Sequence, residues 1–286
     1  MTQADFQFNR QSFDAVSSEY TNARPDYDER LFQSIDTVRH FTSHSRILEL
    51  GAGTGIATRQ MADLWHPDIT AVEPGENLIA EARKRLAGYN DITFYNTSFE
   101  SYDSGNMLFD AVVSATSFHW LDPDTKYRKS SALLRDGGVL IVFWNYYGRD
   151  ESAVSGSIDR LYEKYGMSQP GIDMRMLQQE KIESRTREIR DNGYFDIIKE
   201  DFFTSRSTYT AARYISLLKT FSDHSRVPHI HSFYDEVSTS IENCGGTIDV
   251  CITTQLEIAE KKGSRGISEH SHRKTCAVMR DNSPNA

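Results

Sequence analysis

The sequence predicts an α/β fold, a parallel sheet with helices on both faces, from three observations. Short apolar runs alternate with amphipathic stretches from position 45 to about 145, the pattern of strands buried beneath helices. A glycine-rich turn, Gly51-Ala52-Gly53-Thr54-Gly55, follows the first apolar run directly and opens a helical stretch. Two late apolar runs, 195–209 and 246–259, bring the expected strands to seven.

The elements follow in order. Residues 1–42 form an N-terminal segment in which 13–41 reads as helix, loop and helix; Arg24-Pro25 punctuates the loop, because proline biases its predecessor away from helix. This segment is placed as a lid over the ligand-binding edge of the sheet. The core, 43–145, carries strands at 46–50, 69–72, 92–95, 111–114 and 139–144, the last entered through Gly137-Gly138. Helices at 57–64, 76–86 and 126–134 show apolar positions at three- and four-residue intervals, as packing on a sheet face requires. Residues 146–192 are polar, with helical periodicity at 158–165 and 174–189 and no strong strand, and are assigned as a helical insertion. Residues 193–260 return to the core through the strand 195–209, helices at 211–221 and 231–243, and the strand 246–259 after Gly245-Gly246. From 261 to 286 apolar content is low and basic residues predominate, which reads as a disordered tail.

At 286 residues, with 38% hydrophobic and 26% charged residues, the chain has the composition of a soluble globular protein. A formal net charge of −9 gives no electrostatic reason to expect nucleic acid. The start lacks a basic region followed by an apolar stretch, and no run reaches the roughly 18 apolar residues of a spanning helix. A cytoplasmic protein with no membrane partner is therefore expected. Cys244, Cys251 and Cys276 have no CxxC spacing, which suits a reducing compartment. Cys244 and Cys251 read as packing residues.

The glycine loop sits at the carboxyl end of the first parallel strand, where open α/β sheets bind ligands. Glycine is required where the backbone turns sharply and a ligand must approach it closely. The second strand ends in Glu73, about 20 residues on, where an acid can accept hydrogen bonds from ribose hydroxyls. Position 56 holds Ile56 instead of the third glycine of a dinucleotide fingerprint, and the Gly-Lys-Ser/Thr ending of a phosphate loop is missing. The loop is thus not built for phosphates.

The spacing Glu49-x-Gly51-x-Gly53-x-Gly55, followed by Glu73-Pro74, resembles the first two motifs of class I S-adenosylmethionine-dependent methyltransferases. The resemblance implies a Rossmann-like seven-stranded methyltransferase sheet and S-adenosyl-L-methionine as cofactor. Its amino acid part would lie on Glu49, Gly51, Ala52, Gly53 and Gly55, and its ribose on Glu73 beside Pro74. Ser98, Phe99 and Glu100 fall at the adenine position, with Phe99 stacking and Glu100 or a backbone amide meeting the exocyclic amine. The run Ser117-Phe118-His119-Trp120 after the fourth strand, Tyr20 and Arg24-Pro25-x-Tyr27 near the start, and Thr220-Phe221-Ser222 late in the chain resemble the small-molecule group that includes trans-aconitate methyltransferase. That resemblance adds Tyr20, Arg24 and Ser114 to the cofactor set. It implies a small-molecule acceptor, with Tyr27, Trp120 and Trp144 on its side of the site.

Methyl transfer to a sulfonium-activated carbon needs alignment and exclusion of water and requires no metal. A carboxylate acceptor is already ionised, whereas a hydroxyl or ammonium must lose a proton. His119 is the candidate base; the alternative is that it packs or bonds near the cofactor's carboxylate. Arg24 suits a carboxylate on cofactor or substrate, or else a surface turn. Asp122-Pro123-Asp124 reads as a helix cap and not a metal site, and His224, His229 and His231, lacking a zinc spacing, as a polar helix start. Transfer to an oxygen is the leading expectation. Methylation of an RNA nucleoside, or a non-catalytic module keeping the cofactor fold, are the rivals.

Overall fold

A computed structural model describes residue 14 and residues 23–167, 174–224 and 227–263, with residues 174–177 described in backbone only. The sequence-assigned Tyr20 and nearly all of the tail lie outside the described residues.

Seven strands form one sheet: β1 Arg46–Leu50, β2 Asp68–Val72, β3 Ile92–Tyr95, β4 Phe109–Ala115, β5 Leu134–Arg149, β6 Phe195–Thr210 and β7 Thr247–Lys261. Their order is β3-β2-β1-β4-β5-β7-β6. The first five run parallel, and β7 enters antiparallel between β5 and β6. The chain winds outward from β1 to β3, then crosses back to β4 on the other side of β1. That reversal opens a crevice at the carboxyl ends of β1 and β4.

The helices are α1 Glu29–Val38, α2 Ile56–Trp65, α3 Glu76–Arg85, α4 Pro123–Leu133, α5 Ala153–Lys164, α6 Met174–Asp191, α7 Ala211–Lys219 and α8 Ile230–Glu242. Alternation along the strands sorts side chains between two cores. Ile47, Ile69, Ala111, Val113, Ile141 and Phe143 meet α1 and α2 on one face. Leu48, Leu50, Val112, Leu140, Val142 and Trp144 meet Tyr127 of α4 and Ile189 of α6 on the other. A third cluster joins α5, α7 and α8 to the start of β7 through Ile158, Leu217, Phe233 and Ile248.

Two expectations are corrected here. The fifth strand does not stop at 144: it continues to Arg149, paired with β7 as far as Val250. The first residues of the assigned insertion are therefore sheet, because β7 supplies a ladder partner that local sequence does not reveal. Cys244 is exposed and does not pack; Cys251 is half-buried on β7.

Candidate cofactor site

The crevice is a cleft of about 750 Å³, open at its mouth, lined on one side by Gly51, Gly53, Val72, Glu73 and Pro74 and on the other by Thr116, Ser117, Trp120 and Leu121, with Phe99 and Leu78 beside them. Among the sequence-assigned residues the structure brings Gly51, Gly53, Glu73, Pro74, Phe99 and Trp120 to this cleft.

The three loop glycines serve different ends. All adopt positive φ, +69° at Gly51, +57° at Gly53 and +78° at Gly55, the region L-residues disfavour. A Cβ on Gly51 would fall 2.5 Å from Ser117 Oγ, and one on Gly55 2.8 Å from Leu86 Cδ1, whereas one on Gly53 would meet nothing within 4 Å. Gly51 thus lets β1 approach β4, and Gly53 is the glycine whose open side is left for a ligand. Gly55 starts α2 and packs on Leu86 and Ala82, outside the cleft lining.

Glu73 holds the loop in shape. Its Oε2 accepts the Gly53 N–H at 2.9 Å and its Oε1 the Gly75 N–H at 2.8 Å. Each carboxylate oxygen has more than one lone-pair direction, so Glu73 can also receive a ribose hydroxyl. Asn96 fixes the same turn from β3, its Nδ2 donating to the carbonyls of Glu73 and Pro74 at 3.0 and 3.1 Å. Asp14 of the N-terminal segment accepts from the backbone of Asn77 and Leu78 at 2.8 and 3.1 Å. It caps α3, a task for which Gly75 has no side chain.

At the end of β4, Ser114 and Ser117 both donate to the Leu50 carbonyl, at 3.0 and 2.6 Å. Ser114 is fully buried there, and of the two hydroxyls only that of Ser117 belongs to a lining residue. Thr116 adopts φ +56°, costly for a β-branched residue and typical of functional sites. Its Oγ1 lies 3.0 Å from Tyr27 Oη, and the Tyr27 ring packs edge-on against Phe143 at 4.7 Å. Tyr27 therefore supports the cleft wall from behind. Thr116, Ser117 and Asn96 went unassigned in the sequence because polar residues after a strand carry no periodic signal.

Several assigned residues stand elsewhere. Ala52 is buried against the α2 side of the core. Glu49 is buried beneath the loop, its Oε2 accepting from Thr58 Oγ1 at 2.6 Å; burial pushes its carboxyl up to about 8, so it is largely protonated at neutral pH. Ser98 closes a turn by accepting from the Ser101 N–H at 3.3 Å, and Glu100 Oε1 accepts from the Asp122 N–H at 3.0 Å. Neither lines the cleft. Asp122 occupies the N-cap of α4 but its side chain makes no capping bond. Among the described residues Arg24 bonds to Thr220: Nε donates to Thr220 Oγ1 at 2.9 Å and Nη2 to its carbonyl at 3.1 Å. Its guanidinium also lies over the rings of Tyr147 and Phe221, at 4.9 and 5.4 Å.

His119 sits in the 3-10 turn Phe118–Trp120. Its Nδ1 accepts the Trp144 indole N–H at 3.2 Å, and its ring lies 4.5 Å from that of Trp120. A neutral ring accepting at Nδ1 carries its proton on Nε2. Burial first, then the charges of Arg185, Lys126 and Lys181, lower its pKa well below the ordinary histidine value. His224 is corrected from a polar helix start to a core residue: it is buried, with Nε2 3.1 Å from Tyr162 Oη and Nδ1 3.4 Å from Tyr234 Oη. Among the described residues no group of His, Cys, Asp or Glu is arranged to hold a metal. No described helix is long and apolar enough to cross a membrane.

Residues 47–138 match a methyltransferase-domain family. An uncharacterized methyltransferase of Schizosaccharomyces pombe is 24% identical over 258 residues, covering 87% of this chain and 97% of the relative. A methyltransferase-family protein of Dictyostelium discoideum is 29% identical over 135 residues, but the match spans 47% of this chain and 48% of that protein, about half of each. In fold, a type II methyltransferase candidate from Anaeromyxobacter dehalogenans aligns with TM-score 0.60 at 17% identity, covering 82% of this chain and 97% of that one. With that domain match, the chain has the fold of the class I S-adenosylmethionine-dependent methyltransferases. The cleft of this methyltransferase fits the cofactor by the chemistry of its lining: an open Gly53, an acid at the second strand and the apolar ring of Phe99 lie in one cleft.

Proposed function

We propose that this methyltransferase transfers the methyl group of S-adenosylmethionine to an oxygen of a small-molecule acceptor, with a carboxylate as the favoured class. The observation that carries the reading is the cleft itself, at the strand reversal between β1 and β4, with Gly53 open on one wall and Trp120 on the other. Gly51, Gly53, Glu73 and Phe99 would hold the cofactor. The cofactor supplies a methyl group on a positively charged sulfur, which leaves as a neutral thioether when an acceptor lone pair takes the carbon. What remains for the chain is alignment and exclusion of water.

A small acceptor is supported by the roof over the end of β5. Tyr147 is covered by Phe221 at 5.6 Å and by Arg24, and its carbonyl accepts from Gln178 Nε2 of α6 at 2.9 Å. Among the described residues no lysine or arginine lines the cleft, which disfavours an RNA substrate. An acceptor already ionised is supported by His119. With Nδ1 engaged by Trp144 and its pKa lowered, it offers a proton donor at Nε2 and no ready base. A carboxylate in particular is supported by Arg185 of α6, which stands outside the lining residues but acts on His119 and stacks on Trp144. Its guanidinium stacks 4.8 Å from the Trp144 ring and 5.1 Å from that of Tyr146, and Nη1 donates to Tyr146 Oη at 2.7 Å. Glu188, an acid that acts on it, is taken by Lys126 at 2.5 Å. A desolvated guanidinium without an ion pair among the described residues favours an anionic ligand.

Calorimetric titration with S-adenosylmethionine and S-adenosylhomocysteine, with NAD as control, tests the cofactor side. Micromolar binding of the first two, none of NAD, and a loss of at least about tenfold in Glu73→Ala are expected. Folded protein that binds none of the three overturns the reading.

A further inference from the structure

The wall formed by Phe99 is held by one ammonium. Lys129, in the last two turns of α4, donates from Nζ to three main-chain carbonyls of a single short loop: Phe99 O at 2.6 Å, Glu100 O at 3.0 Å and Tyr102 O at 2.6 Å. An ammonium has three N–H bonds, so the loop uses all of them. The same nitrogen lies 5.1 Å from the centre of the Phe99 ring, where the electron-rich face attracts a cation. A second tie joins the same two elements, from Glu100 Oε1 to the Asp122 N–H at 3.0 Å. Asp122 directly follows Trp120 and Leu121, which line the opposite wall. Helix α4 therefore bridges the two sides of the cleft, one through its first residues and the other through Lys129.

Charge-assisted bonds to three carbonyls fix a loop far more firmly than a single neutral bond, and a binding wall held in place before the ligand arrives lowers the cost of binding. Burial depresses the Lys129 pKa, with Glu100 and Asp103 acting the other way; the ammonium gives up hydration to hold this loop.

We propose that Lys129 is a positioning residue for the cofactor's adenine ring: it never touches the ligand, but sets Phe99 and the neighbouring backbone against the base. This rests on the cleft being the S-adenosylmethionine site. Lys129→Met keeps an unbranched side chain one atom shorter and removes all three bonds. The affinity for S-adenosylhomocysteine is expected to fall about five- to twentyfold, while kcat at saturating cofactor stays within about threefold. Lys129→Arg, which still donates to carbonyls, should recover most of the loss. The most specific readout is base discrimination: the wild type should prefer S-adenosylhomocysteine to its inosine analogue, and Lys129→Met should lose most of that preference. A role confined to stability would lower the melting temperature and leave this ratio unchanged. If Lys129→Met does not fold, Lys129→Gln, which keeps one donor group, is measured for the same ratio. Unchanged affinity and discrimination in a folded variant overturn the proposal. Wild-type protein that does not bind S-adenosylhomocysteine overturns instead the cofactor reading on which it rests.

Discussion

Arg24 and Thr220, 196 positions apart, are joined by two hydrogen bonds, one to the threonine hydroxyl and one to its carbonyl. The hydroxyl also donates to the Leu217 carbonyl at 2.6 Å, at the end of α7. The N-terminal segment is thereby fastened to the helices that cover the end of β5, and Arg24 is occupied in doing so. Arg24→Gln is expected to lower unfolding free energy by about 1 to 2 kcal/mol, the worth of a charged hydrogen-bonded side chain, and to leave affinity for S-adenosylhomocysteine within about threefold. A double-mutant cycle with Thr220→Val, read by urea unfolding, should show coupling between the two sites. A tenfold loss of cofactor affinity in Arg24→Gln would put the arginine on the cofactor after all.

Gly51 and Gly53 should separate stability from binding. Gly51→Ala drives a methyl group into Ser117 Oγ at 2.5 Å and is expected to cost more than about 2 kcal/mol, strain and clash combined. Adding Ser117→Gly should recover part of that loss. Gly53→Ala meets open space and should cost only about 1 kcal/mol of stability, yet weaken cofactor binding at least about tenfold. Equal effects of the two substitutions on binding and stability would contradict the division of labour.

Arg185→Gln tests the acceptor side. With S-adenosylhomocysteine bound, malonate, succinate and citrate are the probes, and at least one should raise the melting temperature of the wild type. That stabilisation should vanish in Arg185→Gln, with Arg185→Lys intermediate because it keeps the charge but not the planar fork. Cofactor affinity should be unaffected in both. If the neutral amide of the effective probe stabilises equally well, Arg185 does not read an anion.

Acid should destabilise the fold through its buried histidines. Burial lowers the His224 pKa to about 4, below the ordinary value near 6.5, so the unfolded chain binds the proton more readily. Stability from this group is complete above pH ~6.5 and declines as pH falls toward the folded value. The loss between pH 7.5 and 4.5 amounts to roughly 2 to 3 kcal/mol, with His119 acting in the same direction. Urea midpoints of the wild type and His224→Gln at both pH values should show a shallower decline in the variant. Parallel declines would remove His224 as a source.

Strands β1 and β3 and the α/β class were legible from local sequence, since apolar alternation and glycine turns are set within a few residues of chain. Glu73, expected from its offset after the glycine loop, and Phe99, placed by the family resemblance, both line the cleft. Contacts formed between distant segments were not legible. The extension of β5 to Arg149 depends on β7 beside it, and Asp14 reaches the start of α3 across 63 positions. Arg24 looked like an anion ligand because its type suits one, but a side chain's partner is whichever acceptor the packing brings near, here Thr220. His119 was a candidate base from its place after the fourth strand, with packing or hydrogen bonding as the alternative; burial, three cationic neighbours and its indole partner favour a neutral, donating ring. The sequence by itself determined the sheet, its carboxyl edge and the chemistry of the loop there, because these follow from local periodicity and backbone sterics. Only the tertiary structure decided which polar side chains line the cleft and which hold its walls, because desolvation and long-range hydrogen bonding are properties of the packed chain.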